Sequence, residues 1–294
     1  MPPPAGLRHG SPQMTSHATA SPSQIVSRRT AIVTGAASGL GRALCERLAR
    51  DGFLIAICDI DLTGAAETLR SVEAAGGSGR VEPLNVADPA AWEALRERLE
   101  HDWPHLDLLV NNAGVAVSGD VGRCSLDDWR WIVDTNLWGV IHGCHVCVDW
   151  LKRNPRGSHV INTSSLAAIG SFPGMAAYNV TKAAVVSFSE TLHSELGRHG
   201  VGVTVLCPSF FPTALIDNGR FASPAERRIA RGEFTRTKLT AEAVADAAIR
   251  AVARKQLYVI LPAKARVIWW IKRLSPSLFF RVIALEVNRR LNAR

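Results

Sequence analysis

From Thr30 onward the chain alternates between two hydrophobic rhythms, and this alternation constrains its fold more than any other feature. Short β-branched or apolar runs predict strands at Thr30–Thr34, Leu54–Cys58, Arg80–Leu84, Leu106–Asn111, His159–Thr163, Val201–Cys207 and Leu257–Leu261. Longer amphipathic patterns predict helices over Leu40–Asp51, Thr63–Ala75, Pro89–His101, Leu126–Leu151, Ala176–His199 and Ala241–Ala253. A strand that is apolar along its whole length has both faces buried, whereas a strand with one wet face alternates. Continuous apolar strands separated by helices therefore call for a parallel sheet with helices on both sides. The expected fold class is α/β, doubly wound around a seven-stranded parallel sheet. Ligands of such folds bind beyond the carboxyl ends of the strands.

The flanking segments read differently. Residues 1–28 are rich in Pro, Ser, Ala and Gly and lack an apolar stretch, so a disordered tail is expected rather than a secretory signal. Residues 29–262 form the expected α/β domain. Residues 263–294 form a C-terminal extension of two helices separated at Ser275-Pro276. A chain of 294 residues is long enough for one such domain with a substantial core. The net charge of +8 is concentrated at the ends. Lys264–Arg294 holds eight basic residues against Glu286 alone, and the first 29 residues hold three basic residues and no acid, so the body is mildly acidic. No nucleic-acid-binding motif accompanies the C-terminal charge, and no nucleic-acid partner is expected.

Most of the six cysteines (Cys45, Cys58, Cys124, Cys144, Cys147, Cys207) lie in apolar runs, as small hydrophobes do. Cys144 and Cys147 have a metal-ligand spacing but no second pair, so no metal is expected. A reducing cytoplasm suits these thiols. No run approaches the roughly 20 apolar residues that span a bilayer.

Two local patterns carry chemistry. The first strand runs into Thr34-Gly35-Ala36-Ala37-Ser38-Gly39-Leu40-Gly41 and then a helix. Glycines there permit a tight turn and let a pyrophosphate approach the backbone at the helix N-terminus. Asp59 ends the second strand, where an acid accepts hydrogen bonds from an adenosine ribose and repels a 2′-phosphate. Ser38 and Ile60 offer no cation to such a phosphate, so NAD is favoured, with NADP as the alternative. Asp61 competes with Asp59 for capping the next helix. The second pattern is Tyr178-Asn179-Val180-Thr181-Lys182, which places a phenol and an ammonium on one helix face. A neighbouring positive charge favours the phenolate and draws the tyrosine pKa down from about 10. The pair can then exchange a proton with a substrate oxygen.

Together with Asn111-Asn112-Ala113-Gly114, Asn136 in Thr135-Asn136-Leu137, and Ser165 thirteen residues before Tyr178, these patterns resemble the short-chain dehydrogenase/reductase family across Thr30–Leu261. The resemblance implies a Rossmann fold and hydride transfer between a nicotinamide cofactor and an alcohol or carbonyl. It implies that Tyr178 is the general acid/base and that Lys182 lowers its pKa and binds the nicotinamide ribose. Ser165, favoured over Ser164 by spacing, would hydrogen-bond the substrate oxygen, and Asn136 would hold a water leading from Lys182 to solvent. The implied cofactor contacts are Gly35, Ser38, Gly39, Leu40, Gly41, Asp59, Asn85, Val86, Asn112, Ala113, Gly114, Tyr178, Lys182, Pro208 and Thr213. Two departures from the family pattern stand out. Leu84-Asn85-Val86 replaces an acid near the adenine with an amide, and Pro208-Ser209 replaces Pro-Gly after the sixth strand.

The expected substrate is an apolar secondary alcohol or ketone. Ile169, Phe172 and Met175 in one segment, and Phe211, Leu215, Phe221 and Phe234 in another, put apolar side chains at the expected pocket mouth. A homodimer or homotetramer is implied by the resemblance. The basic, Trp- and Phe-rich extension suits either peripheral contact with a membrane surface or packing on the body or a partner subunit. The expected location is therefore cytoplasmic, peripheral to a membrane if the first holds. The rival readings are an NADP-dependent carbonyl reductase and a non-catalytic nucleotide-sensing or membrane-associated scaffold.

Overall fold

Strand β1 (Thr30–Thr34) is buried at all five positions, as its unbroken apolar run requires. It pairs in parallel with β2 (Leu54–Asp59) on one side and β4 (Leu108–Asn111) on the other. With β3 (Ser78–Pro83), β6 (Ser158–Thr163), β7 (Val201–Pro208) and β9 (Tyr258–Leu261) it forms a seven-stranded sheet in the order β3-β2-β1-β4-β6-β7-β9. Every pairing in this sheet is parallel. The computed structural model of the chain describes residues 28–235 and 237–292. The tail expected over 1–28 lies outside these residues except for Arg28, whose Nη1 donates to Ser78 Oγ at 3.0 Å.

Helices cover both faces of the sheet. On one face lie α1 (Gly39–Arg50), α2 (Leu62–Ala74) and α9 (Ala241–Ala253), which bury Leu44, Leu48, Val72 and Val244 in one apolar layer with Val33, Ile55 and Leu206 of the sheet. On the other lie α3 (Pro89–Asp102), α5 (Gly139–Lys152) and α7 (Ala176–Leu196), with Trp92 and Trp150 fully buried beneath them. Burying a large side chain contributes roughly 1.5–3 kcal/mol, so these two apolar layers dominate the fold's stability. Asp61 caps α2 by accepting from Gly64 N at 3.1 Å. Asp88 caps α3 ahead of Pro89 by accepting from Ala90 N at 3.0 Å. Both caps satisfy amides that a helix start leaves orphaned.

Three local departures from the sequence-based expectation bear on the site. The single helix expected over Leu126–Leu151 is interrupted: α4 (Leu126–Val133) passes through a π-helical segment, Asp134–Trp138, before α5 begins. Two short strands, β5 (Val117–Ser118) and β8 (Arg220–Phe221), form a separate parallel pair. Helices α6 (Ala167–Gly170) and α8 (Pro224–Thr235) occupy segments for which no helix was expected. The extension behaves as its sequence suggests, with α10 (Ala265–Leu274) and α11 (Pro276–Asn292) separated at Ser275-Pro276. Cys144 and Cys147 point into the core, where Cys144 Sγ accepts from Asn111 Nδ2 at 3.3 Å.

Candidate active site

The carboxyl ends of β1, β4, β6 and β7 converge on one edge of the sheet, and the sequence motifs gather there. Gly35 has φ +62°, and a Cβ on it would lie 2.7 Å from Ala113 Cα. A Cβ on Gly41 would overlap the Gly35 carbonyl, so the turn closes only without side chains at both positions. Asn112 binds this turn to β4: its Nδ2 donates to Thr34 O at 3.0 Å and Gly35 O at 3.2 Å. Thr34 Oγ1 accepts from the amides of both Asn112 and Ala113 at 3.0 Å. Thr34 is thus a structural member of the site that the sequence reading passed over. Its place at the end of β1 was the available signal.

The start of α1 suits an anion. Ser38 is extended and exposed, and its hydroxyl makes no capping bond, so the first-turn amides are left without a side-chain partner. Asp59 is half-buried beside this turn, and its Oδ2 accepts from Ala37 N at 2.8 Å. The helix-capping role goes to Asp61, which resolves the competition between the two acids. Arg42 is a cation close to the turn, but its Nη2 donates to Ala37 O at 2.7 Å and pairs with Glu67 at 2.9 Å. Thr213 adjoins the same turn: a Cβ on Gly39 would lie 3.4 Å from Thr213 Cβ. This cradle fits a dinucleotide, with backbone amides for the pyrophosphate and a carboxylate for the ribose.

Asn85 and Val86 sit less simply. Asn85 is exposed, but its Oδ1 accepts from Ala87 N at 3.1 Å, so its amide NH2 is the more available group. The Val86 side chain is buried toward α5, and its carbonyl accepts from Trp92 Nε1 at 3.2 Å. Pro208 ends β7, and its carbonyl accepts from Leu166 N at 2.8 Å, which ties the segment after Ser165 to the sheet.

Tyr178 and Lys182 lie on the inner face of α7, with exposures of only 7% and 3%. Lys182 Nζ donates to Thr163 O at 2.9 Å and stands 5.7 Å from the centre of the Tyr178 ring. Ser164 is buried and donates to the Lys182 carbonyl at 2.7 Å, so it serves the helix backbone. Ser165 is the serine beside Tyr178, and its half-buried Oγ accepts from Ala167 N at 3.1 Å. Asn136 is fully buried in the π-helical segment and pairs with the backbone of Val115 through both ends of its amide, at 2.7 and 2.9 Å. A Cβ on Gly114 would lie 3.2 Å from Asn136 Oδ1 and 3.5 Å from Lys182 Nζ, so this glycine keeps the space between them open.

The electrostatics differ from the sequence-based expectation. Burial pushes the Tyr178 phenol up to about 12, opposed by the neighbouring Ser165 hydroxyl. Burial likewise pushes Lys182 down to about 8. The expected lowering of the tyrosine pKa by its lysine is not found: desolvation dominates, and it disfavours the charged form of each group.

The apolar residues divide between site and body. Met175, Leu215 and Phe172 share a cluster with Tyr178, together with Val117, Ile132 and Trp131, which the sequence reading did not select. Ile169 and Phe211, expected at the pocket mouth, are buried in the body instead: Ile169 packs with Val205 and Ile260, and Phe211 joins the core of the α1 face. Phe210 packs against Phe234 with ring centres 5.2 Å apart, and Phe221 lies under Arg227.

The family profile described as short chain dehydrogenase matches residues 29–221, from the first strand through β8. The chain belongs to the short-chain dehydrogenase family. The 3beta-hydroxysteroid dehydrogenase 1 of Eggerthella lenta is 32% identical over 200 residues, covering 68% of this chain and 76% of that protein. "Probable oxidoreductase EphD" of Mycobacterium tuberculosis is 34% identical over 265 residues, covering 87% of this chain. This short-chain dehydrogenase spans only 44% of EphD's length. Among solved structures, a short chain dehydrogenase/reductase from Burkholderia phymatum in complex with NAD superposes with a TM-score of 0.81 at 30% identity, covering 86% of this chain and 96% of that one.

Proposed function

We propose that this short-chain dehydrogenase transfers a hydride between NAD and an apolar secondary alcohol or its ketone, with Tyr178 handling the proton. The observation that carries the proposal is the meeting of Tyr178, Ser165 and Lys182 beyond β6, on the sheet edge that also holds the glycine turn. A bound nicotinamide supplies or accepts the hydride at its C4. Tyr178, pushed up to about 12, rests as the neutral phenol and is ready to donate to a carbonyl oxygen during reduction. In the reverse direction Tyr178 first releases its own proton along the path at Lys182, and the phenolate, held by the positive charge of Lys182, then takes the alcohol proton. The Ser165 hydroxyl donates to the same substrate oxygen, where charge develops in the transition state. Lys182 spends one N–H on Thr163 O, which holds its head group in place and leaves the others for the ribose and the proton path. Asn136 holds the Val115 backbone and borders the space beside Gly114, where a relay water would sit.

NAD is favoured over NADP because the Asp59 carboxylate stands at the end of β2 and the nearby Arg42 is paired with Glu67. The NAD complex of the Burkholderia protein supports the same choice. The apolar cluster around Tyr178 and the steroid dehydrogenase relative both support an apolar substrate. Assembly as a homodimer or homotetramer belongs to the same reading. The α5–α7 face carries a groove of about 420 Å³ bordered by Ile141, Val148, Phe188 and Leu192.

The test is turnover of a panel of hydrophobic secondary alcohols with NAD and NADP, by the native chain and by Tyr178→Phe. NAD-linked oxidation is expected, with the variant slowed about 100- to 10,000-fold and its NAD affinity nearly unchanged. Normal turnover by the variant would remove Tyr178 from the proton step. Tighter binding of NADP than of NAD would reject the assignment of Asp59.

A further inference from the structure

The C-terminal extension carries an apolar stripe that the hydride-transfer site does not use. Helix α10 is anchored by one face. Ala265 is buried, Trp269 packs on Tyr258 with ring centres 5.3 Å apart, and Lys272 Nζ donates to Ile169 O at 2.7 Å and Ser171 Oγ at 3.1 Å. Residues spaced three and four apart share a helix face. The opposite face of α10 is therefore Val267, Trp270, Ile271 and Leu274, and all four are exposed, Trp270 at 54% and Leu274 at 80%. Helix α11 repeats the arrangement. Phe279 is its buried anchor, while Leu278, Val282 and Leu285 point to solvent. Soluble surfaces rarely leave two consecutive helices with apolar outer stripes.

The charges beside this stripe are all of one sign. Lys264, Arg266, Arg273 and Arg281 are exposed, and the sequence has no acid between residues 262 and 285. On the helical wheel Arg266 and Arg273 lie on one flank of the α10 stripe. We infer that α10 and α11 together seat the chain on an anionic lipid surface, with the apolar stripe entering the acyl boundary and the flanking cations meeting the headgroups. Charge complementarity favours this occupant over a second copy of the chain. A two-fold interface sets the same patch against itself, so the cations would face each other, and the sequence offers only Glu286, past the end of the stripe, against them. A nucleic acid would meet the cations but leave the central Trp270, Ile271 and Leu274 without an apolar partner.

The placement has a consequence for the site. The inner face of α10 packs on Leu166, Ile169 and Phe172, within the segment that follows Ser165. A lipid surface under α10 thus lies directly behind the loop bordering Tyr178, where an apolar alcohol would arrive. The docking itself does not depend on the proton chemistry, so the two readings are tested separately.

The test is flotation of the full chain with vesicles of phosphatidylcholine alone and of phosphatidylcholine containing about one-third phosphatidylglycerol. Two variants accompany it: Arg266→Gln/Arg273→Gln/Arg281→Gln, and Trp270→Ser/Leu274→Ser. All these side chains are exposed, so turnover of a water-miscible alcohol should match the native chain and report intact folding. Binding is expected to the anionic vesicles only. The charge variant should lose about a hundredfold in partition coefficient, at about fivefold per cation, and the apolar variant should lose binding as well. No flotation of the native chain, or equal flotation of native and charge variant, overturns the proposal. So does a change in oligomer size on Trp270→Ser/Leu274→Ser without vesicle binding, which would assign the face to a second copy.

Discussion

Lys182 is costly to bury. The residue is 3% exposed and its ammonium is pushed from 10.5 to about 8, a penalty of roughly 3 kcal/mol at neutral pH. The bond to Thr163 O offsets part of that cost. Lys182→Met is therefore expected to abolish turnover yet raise stability at pH 7 by about 1–3 kcal/mol, the loss of one hydrogen bond offsetting part of the gain. The folded pKa is lowered, so the native chain carries the full penalty below pH 8 and sheds it as pH rises from 8 to 10.5. The advantage of the variant should shrink across that window. Urea denaturation at pH 7 and pH 10 measures both effects, and a variant less stable than the native chain at pH 7 would contradict this assignment. Which residues sit here was legible from their order and spacing. The direction of the tyrosine shift was not, because it depends on how completely the fold removes water from Tyr178.

At the scale of elements, the turn between β1 and α1 is the least tolerant junction. A Cβ on Gly41 would meet backbone atoms, the Gly35 carbonyl and Ala36 Cα, and backbone cannot swing away as a side-chain tip can. Gly41→Val is expected to weaken NAD binding by more than about tenfold, a loss of roughly 1.4 kcal/mol or more, and to lower the melting temperature. Gly232→Ala, whose Cβ meets nothing within 4 Å, is the matched control and should leave NAD affinity unchanged. Fluorescence titration with NAD decides the matter, and native-like affinity in the valine variant would refute the close-packing argument. This turn was readable from sequence because glycine spacing encodes a local steric need. The π-helical segment at Asp134–Trp138 was not. The apolar pattern on both sides of Asn136 is that of one helix, and the extra residue in the turn appears only when Asn136 pairs with Val115, 21 positions earlier.

For the molecule as a whole, a buried histidine at the end of the sheet away from the site is expected to lower stability in acid. His159, on β6, faces Thr204 Oγ1 at 2.8 Å and is pushed down to about 4 by burial, with Lys255 and His193 adding to the effect. The unfolded chain binds this proton near pH 6.5 and the folded chain only near 4. Stability from His159 is thus complete above pH 6.5 and is lost as pH falls through 4, by roughly 3 kcal/mol in total. Denaturation midpoints measured from pH 7 to 4 should fall for the native chain and stay flatter for His159→Gln. Equal slopes would show that other groups control acid unfolding.

The sequence by itself determined the order and type of the main elements, the parallel sheet, the glycine turn and the placing of Tyr178 and Lys182 on one helix face. All of these are encoded in local periodicity or short spacing, while Asn136 and Ser165 were singled out by the family resemblance. Tertiary structure decided what depends on distant partners. It gave the capping role to Asp61 and left Asp59 beside the turn. It turned Ile169 and Phe211 into the body and brought Val117, Ile132 and Trp131 to Tyr178. It also chose which face of α10 is anchored and which is left open to solvent, because that choice depends on where Lys272 meets the loop at Ile169. Burial and long-range contact set these outcomes, and neither is written in the spacing of neighbouring residues.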